Sequence, residues 1–193
     1  MTRRLVLGMA LMLAFAASAL SQDRGFEVFG GYSYQSIGSQ GVSQGMNGFN
    51  VALTGNMSKA LGITGEVSRH SWGMSMVDPL DATVIDVNTS VLGFRVGPKL
   101  TSHMGDTASV FVQPTVGFYR MSAGGSVAGF TGSTSATGFT TAAGGGLDLR
   151  VSPRISVRPA QIDWIYLGSA DIAGVSTGSS NGFRYSGGVV VKF

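Results

Sequence analysis

The sequence contains no cysteine, which excludes disulfides and thiolate metal sites. It also carries few charges, because Asp, Glu, Lys and Arg make up 12% of the chain, against about 25% in an ordinary soluble domain. The two histidines have no metal-ligand spacing, and no glycine-rich stretch is followed by the Lys and Ser or Thr of a phosphate loop. We therefore expect no catalytic or cofactor-binding residues, no cofactor and no bound metal.

Long apolar runs are also missing, except near the N-terminus. Two arginines, an apolar run from Leu5 to Ala17 and several small residues follow the layout of a secretory signal peptide. The run is shorter than the roughly 20 residues of a membrane-spanning helix. We therefore predict that residues 1–21 are a cleaved signal, with the cut after Ala19 or Ser21, and that residues 22–193 form one domain. Removal of the two arginines lowers the net charge from +3 to +1, and without a Lys and Arg cluster we expect no nucleic-acid partner.

From residue 26 onward, apolar and polar residues alternate along eight stretches, which predicts eight β-strands with two different environments. In the second stretch, for example, Val51 and Leu53 share one face, while Asn50 and Thr54 share the other. The eight stretches are FEVFGGYSYQS, GFNVALTGNMS, LGITGEVSRH, VLGFRVGPKL, ASVFVQPTVGFY, GFTTAAGGGLDLRV, ISVRPAQIDWIYL and RYSGGVVVKF.

Charged residues in these stretches fall mainly on the polar faces. An Arg or Lys that faces lipid at mid-bilayer costs a transmembrane barrel about 2–4 kcal/mol, so in a barrel these charges must point into the lumen and pair there. Because an eight-stranded barrel is just wide enough for side chains to fill, we expect a plug rather than a pore. A secreted β-sandwich accepts the same alternation with its faces reversed. The predicted lumen charge network comprises Glu27, Glu66, Arg95, Lys99, Asp148, Arg150, Arg158, Asp163, Arg184 and Lys192.

The segments between the strands alternate between long and short. Outer-membrane barrels have long outer loops and short periplasmic turns. The alternation therefore predicts an all-β fold, an eight-stranded antiparallel up-and-down transmembrane barrel with both termini in the periplasm. We expect the stretch MSAGGSVAGFTGSTSATG to be a flexible, exposed loop. The seven segments are Ile37–Met46, Ser58–Ala60, Trp72–Ala82, Thr101–Asp106, Met121–Ala136, Ser152–Arg154 and Ser169–Asn181.

Aromatic residues support this topology, because they cluster toward the strand ends, where interfacial rings are favoured. Phe26 and Phe193 fall at the inner rim. The aromatic residues predicted near the outer rim are Tyr32, Tyr34, Phe49, Trp72, Phe118, Phe139, Trp164, Tyr166 and Phe183.

Prolines mark three irregularities in the predicted strands. We expect Pro98 to lie close to a turn, and Pro114 to leave one ladder hydrogen bond unmade. At Pro159 the alternation changes phase. One extra residue near Ala160 restores the phase, which predicts a β-bulge that turns Asp163 inward.

The last stretch ends on an aromatic residue, with apolar residues at alternate positions before it: Tyr185, Val189, Val191 and Phe193, with Gly187 as the weak member. It resembles the C-terminal signal that the barrel-assembly machinery recognises in outer-membrane proteins. Together with the signal peptide, the strand count and the alternating connections, it makes residues 22–193 similar to the small eight-stranded OmpA-like outer-membrane β-barrel proteins. The resemblance implies export to the bacterial outer membrane, with membrane lipid and the assembly machinery as partners. We expect a monomer.

Three residues on one polar face, Glu66, Ser68 and His70, carry the groups of an acyl-transfer site. Some small outer-membrane barrels modify lipid A, but their catalytic groups sit at the lipid-facing rim, whereas these three face the predicted lumen. We therefore expect a polar interior network here and no enzymatic activity. The favoured role is structural or surface-exposed, in membrane integrity, adhesion or partner contact through loops. A narrow pore for ions or small solutes is the main alternative, and a lipid-modifying enzyme ranks behind it.

Overall fold

The computed structural model of the chain describes residues 25–39, 42–77, 84–127, 130–172, 175–176 and 178–193. The predicted signal peptide and its cleavage site lie outside these residues. Within the described ranges, no helix is long and apolar enough to cross a membrane.

The alternating stretches form eight long antiparallel strands that close into one barrel, in the order β1-β10-β7-β6-β5-β4-β3-β2, with β2 pairing back to β1. This order confirms the predicted eight-stranded up-and-down fold. A separate two-stranded hairpin, β8–β9, lies in the segment predicted as the last outer loop. The strands are β1 (Phe26–Ser39), β2 (Val42–Asn56), β3 (Leu61–Val77), β4 (Val84–Met104), β5 (Ala108–Val127), β6 (Phe130–Arg150), β7 (Ile155–Leu167), β8 (Asp171–Ile172), β9 (Val175–Ser176) and β10 (Ser180–Lys192).

At the inner end of the barrel, the strands are joined by the short turns 57–60, 105–107 and 151–154, as predicted. Gly105 adopts a φ of 69° in the second of these turns, a left-handed conformation that a side chain disfavours. The ladder here reaches Met104↔Ala108. The predicted turn Thr101–Asp106 was therefore too long, since its first residues belong to β4.

At the outer end, three predicted loops are instead continuations of paired strands. β1 and β2 pair as far as Ser39↔Val42, β3 and β4 as far as Val77↔Val84, and β5 and β6 as far as Val127↔Phe130. The prediction of long outer loops was therefore wrong for these three connections, and the Gly- and Ser-rich stretch of residues 121–138 belongs mostly to β5 and β6 rather than to an irregular loop. The ladder already formed below fixes the register, so low intrinsic strand propensity does not prevent the pairing from continuing.

The barrel wall has an exposed apolar face and a buried face, and β7 switches phase between them. Ser156 and Arg158 are buried before the switch, and Gln161 and Asp163 after it. The register with β10 shifts between Ser186 and Gly188, and the register with β6 shifts at the same level. These shifts confirm the predicted bulge near Ala160 and the inward position of Asp163.

Two prolines face each other across a gap in the β4–β5 ladder. Pairing stops after Val96↔Val116 and resumes in the same register at Leu100↔Val112, so Pro98 and Pro114 lie opposite one another. Neither can donate a backbone hydrogen bond. The expectation that Pro98 lies close to a turn was wrong, because the strand continues to Met104.

Most of the predicted outer-rim aromatics are exposed on the outward face, as that prediction requires. Trp72 is an exception, because it packs against a buried apolar cluster inside the barrel. At the inner rim, the Phe26 and Phe193 rings stack with centroids 4.5 Å apart, and the Phe193 amide donates to the Phe26 carbonyl at 2.8 Å. The last residue therefore contacts the first strand directly.

Candidate functional site

A buried network of four charged residues, called here the central cluster, crosses the middle of the lumen: Glu66, Arg95, Asp163 and Arg184. Arg184 Nη1 donates to Glu66 Oε1 at 2.6 Å, and Arg184 Nη2 donates to Asp163 Oδ2 at 2.6 Å. Arg95 Nη2 donates to the same Glu66 oxygen at 2.5 Å. Two cations and two carboxylates therefore neutralise one another in the interior.

Strand register brings the central cluster together. Glu66 is the direct cross-strand partner of Arg95, and Arg184 is the direct partner of Asp163. Opposite charges at such positions attract one another. The link between Arg184 and Glu66 then spans the lumen from β10 to β3. Gly144 leaves room for this arrangement, since a Cβ there would lie 2.2 Å from Asp163 Oδ1.

A second group, the inner cluster, lies closer to the inner end of the lumen. Lys99 donates to Glu27, and Arg158 donates to Asp148 through Nε at 2.7 Å and Nη2 at 3.0 Å. The Arg158 guanidinium also lies between two rings, 4.3 Å from the Phe29 centroid and 4.2 Å from the Phe111 centroid. Gln161 links the two clusters, because it accepts from Arg158 Nη1 at 2.8 Å and donates to Asp163 Oδ2 at 2.9 Å.

Phe111 was missed as a member of this network, although its position was readable from the sequence. It alternates in phase with Gln113 and Thr115, two polar residues of the same strand. Its ring contacts two cations, Arg158 and Lys99. An aromatic residue on an otherwise polar face is a signal for such a cation–π contact.

Side chains at the level of the central cluster exclude water. The exposed fraction is 1% for Arg184, 1% for Asp163 and 0% for Gln161. A side chain that lines a water-filled pore would present surface to that water. In this structure, the barrel cross-section at Arg184 is therefore filled by side chains.

The outer part of the lumen is apolar, which the sequence analysis did not foresee. A buried cluster occupies it, and Trp72 and Met121 pack against its members. Ile165 and Leu167 belong to this cluster because both alternate in phase with Asp163 once the bulge is placed, so that they point into the lumen. The buried members are Met46, Val91, Tyr119, Ala136, Ala142, Ile165, Leu167 and Ala170.

Two predicted network members lie at the inner mouth instead of inside the filled lumen. Arg150 is exposed and Lys192 is half-buried, and neither forms an ion pair with another described residue. Both line an open cavity of about 440 Å³ that reaches inward as far as Lys99 and Glu27. Both residues thus lie at the mouth of the lumen but outside the ion pairs of the predicted lumen charge network, since both are at the end of their strands.

The residues Glu66, Ser68 and His70 do share one buried face, but they are bonded to other groups. Glu66 is held by two arginines. The ring Nε2 of His70 is hydrogen-bonded to the hydroxyl of Ser33 on β1, and the Ser68 hydroxyl accepts from Arg95 at 3.4 Å. The hydrogen bonds of an acyl-transfer triad are not assembled among these three residues.

A closed barrel with a charged, filled lumen and an apolar outer face defines a transmembrane β-barrel protein. The family model of the outer membrane protein beta-barrel domain matches residues 7–193. The chain belongs to this family. A comparison with curated proteins finds no match.

Two solved outer-membrane barrels illustrate the likeness of fold. The attachment invasion locus protein Ail of Yersinia pestis, in complex with the heparin analogue sucrose octasulfate, is 16% identical with a TM-score of 0.64, and the match covers 89% of this chain and 100% of that one. Neisserial surface protein A is 15% identical with a TM-score of 0.59, and the match covers 87% of this chain and 97% of that one. At these identities the likeness concerns the fold alone.

Proposed function

We propose that the protein is a non-catalytic, non-conducting barrel of the outer membrane whose role is exerted at its outer surface. The observation that carries this proposal is the filled lumen, with Arg184, Asp163 and Gln161 inaccessible to water. A barrel that neither conducts nor holds a catalytic group in its lumen supplies a rigid anchor, and its remaining contacts are made by the outward face and the outer hairpins.

The outer extensions of β3–β4 and β5–β6 are the surfaces proposed for contact with a partner or another cell. Their strands continue in pairs as far as Val77↔Val84 and Val127↔Phe130, so the chain presents backbone edges held in fixed register. Rigid elements lose little conformational entropy on binding, which favours recognition. The protein Ail carries attachment and invasion in its name, and adhesion is one form that contact through these hairpins would take.

A narrow pore is the second candidate, supported by the open inner cavity that reaches Lys99 and Glu27. Glu66 forms ion pairs with both Arg95 and Arg184, so its charge stays paired with Arg95 if Arg184 moves away. Conduction would require the side chains of the inner cluster, the central cluster and the buried apolar residues of the outer lumen to move out of the path at the same time.

Electrical recording decides between these two functions. Refolded protein is inserted into planar bilayers, and single-channel current is compared for wild type, Arg95→Ala and the exposed control Arg150→Ala. We expect stable insertion without discrete current steps for all three proteins, because a single truncation leaves Arg184 bonded to Glu66 and Asp163. Discrete steps in the wild type that Arg95→Ala alters would refute the closed lumen and establish the pore.

A further inference from the structure

The open cavity at the inner mouth is lined almost entirely by polar side chains. Its deep side is formed by the buried residues Glu27, Lys99, Ser109 and Asp148. Among the described residues that line it, Gly25 is the one without a polar side chain. The volume of about 440 Å³ falls in the range of small-molecule sites. The cavity therefore offers charges and hydrogen-bond donors to a ligand, and no apolar surface for a lipid tail.

Cations outnumber carboxylates by four to two around this cavity, which gives its lining a net charge of +2. The carboxylates are Glu27 and Asp148. The cations come from three different strands and one turn, and they are Lys59, Lys99, Arg150 and Lys192.

Both carboxylates are already paired with cations of the inner cluster. Glu27 accepts from Lys99, and Asp148 accepts two hydrogen bonds from Arg158, which does not line the cavity. Lys192 is the direct cross-strand partner of Glu27, yet the carboxylate of Glu27 bonds to Lys99 across the lumen instead. The two carboxylates therefore leave the cations nearer the mouth without a counter-charge.

These outer cations are Lys59, Arg150 and Lys192, and none of them forms an ion pair with another described residue. Lys59 lies in the turn 57–60, and the other two lie at the inner ends of β6 and β10. Like charges that converge on one cavity repel one another, and a cavity with protein walls concentrates their field. An anion that enters the cavity relieves this repulsion.

We propose that the inner mouth is a binding site for a small oxyanion with two or more negative charges, held by Lys59, Arg150 and Lys192. Two negative charges balance the net charge of the lining. A guanidinium binds a phosphate or a carboxylate through two parallel hydrogen bonds, and an ammonium adds a point charge. The site goes beyond the proposed role of the outer surface, because it lies at the opposite end of the barrel and requires no conduction.

The test is isothermal titration calorimetry of the refolded barrel in zwitterionic detergent, with inorganic pyrophosphate and citrate as separate probes. We expect Arg150→Gln and Lys192→Gln each to weaken binding about fivefold and the double variant about 25-fold. Arg154→Gln is the matched control, since Arg154 is exposed at the same end but does not line the cavity. At physiological ionic strength, where screening acts over about 8 Å, this control should bind like the wild type.

A gain in affinity separates the charge argument from misfolding. Glu27→Gln raises the net charge of the lining from +2 to +3, so it should tighten binding about fivefold. Lys192→Arg should retain the wild-type affinity. The mobility of unboiled samples on gels shows that each variant is folded before it is titrated.

Preference for pyrophosphate or for citrate would identify the natural ligand as a phosphate or a carboxylate, and binding of both would show that the site selects charge alone. Absence of binding by either probe to the wild type would overturn the proposal. An equal loss with Arg154→Gln would also overturn it, because the attraction would then come from the whole inner end and not from the cavity. Unchanged binding by the Arg150 and Lys192 double variant, or weaker binding by Glu27→Gln, would contradict the proposed ligands.

Discussion

Replacement of Arg184 by Met is the most direct test of the central cluster as a source of stability. The side chain makes four hydrogen bonds, two to Glu66 and two to Asp163, at 2.6–3.0 Å. After its removal, Glu66 keeps Arg95, and Asp163 keeps the Gln161 amide as its one partner among the described residues. The cluster changes from neutral to one uncompensated negative charge. Loss of one partner from a buried ion pair costs about 3–5 kcal/mol, a large part of the roughly 5–15 kcal/mol that a typical domain has in total.

A compensating variant separates the effect of charge from the effect of packing. Addition of Asp163→Asn to Arg184→Met restores neutrality and leaves a side chain that still accepts and donates hydrogen bonds. We expect the pair to recover about 1–3 kcal/mol relative to Arg184→Met alone, which is the usual penalty of an unsatisfied buried polar group. The control Arg150→Met makes the same chemical change at an exposed position, where the effect should stay within about 0.5 kcal/mol.

The assay is urea unfolding of the protein refolded into lipid vesicles, followed by tryptophan fluorescence and by the mobility of unboiled samples on gels. Unchanged m-values are required before the midpoints are converted into free energies of unfolding. A cost for Arg184→Met within about 1 kcal/mol of the control would refute the stabilising role of the cluster. If the double variant were no more stable than Arg184→Met, the loss would come from packing and not from an unpaired carboxylate.

Deletion of Ala160 should remove the bulge and leave Asp163 in the lumen, because Arg158 and Gln161 then become alternate residues of a regular strand. Deletion of Val51 in the regular part of β2 should instead exchange the two faces of that strand on one side of the deletion. We expect the heat-modifiable band of the folded barrel to persist on gels after deletion of Ala160 and to disappear after deletion of Val51; loss of the band with Ala160 deleted would contradict the phase argument. The stack of Phe26 on Phe193 predicts that the two Ala substitutions are coupled by about 0.5–1.5 kcal/mol in a double-mutant cycle of unfolding, and strict additivity would contradict it. The predicted assembly signal adds that Phe193→Ala, but not Phe26→Ala, lowers the amount of folded barrel in cell outer membranes.

The fold was predictable from the sequence because alternation has a physical cause that operates at every residue. Wherever one face contacts lipid and the other a polar lumen, a phase slip must correspond to an extra residue. For this reason the bulge at Ala160 and the inward turn of Asp163 could be predicted before any coordinates. Glu66 and Arg95, or Arg184 and Asp163, could be assigned to the lumen on the same basis, but their pairing depends on register, which alternation does not specify.

The errors have physical causes of another kind. The extensions of β5 and β6 were taken for a loop because Gly and Ser have low strand propensity, yet a register set in the barrel carries pairing onward to Val127↔Phe130. Arg150 and Lys192 were assigned to the lumen charge network from the alternation alone, and alternation does not tell how far along the barrel axis a residue lies. Trp72 was assigned to the outer-rim aromatics from its position along the strand alone. Its alternation matches that of His70, which points its side chain inward.

Closure of the barrel determines which strand pairing can form last during folding. β1 pairs on one side with β2, its neighbour in sequence, and on the other with β10, from Glu27↔Lys192 to Gly38↔Asn181. Until the residues of β10 are available, β1 presents an open strand edge, which is prone to pair with other chains. The final ladder also joins segments at maximal sequence separation, a topology associated with slow folding. The barrel can therefore close only after β10 has been synthesised, and the exposed edge of β1 must be shielded during that interval.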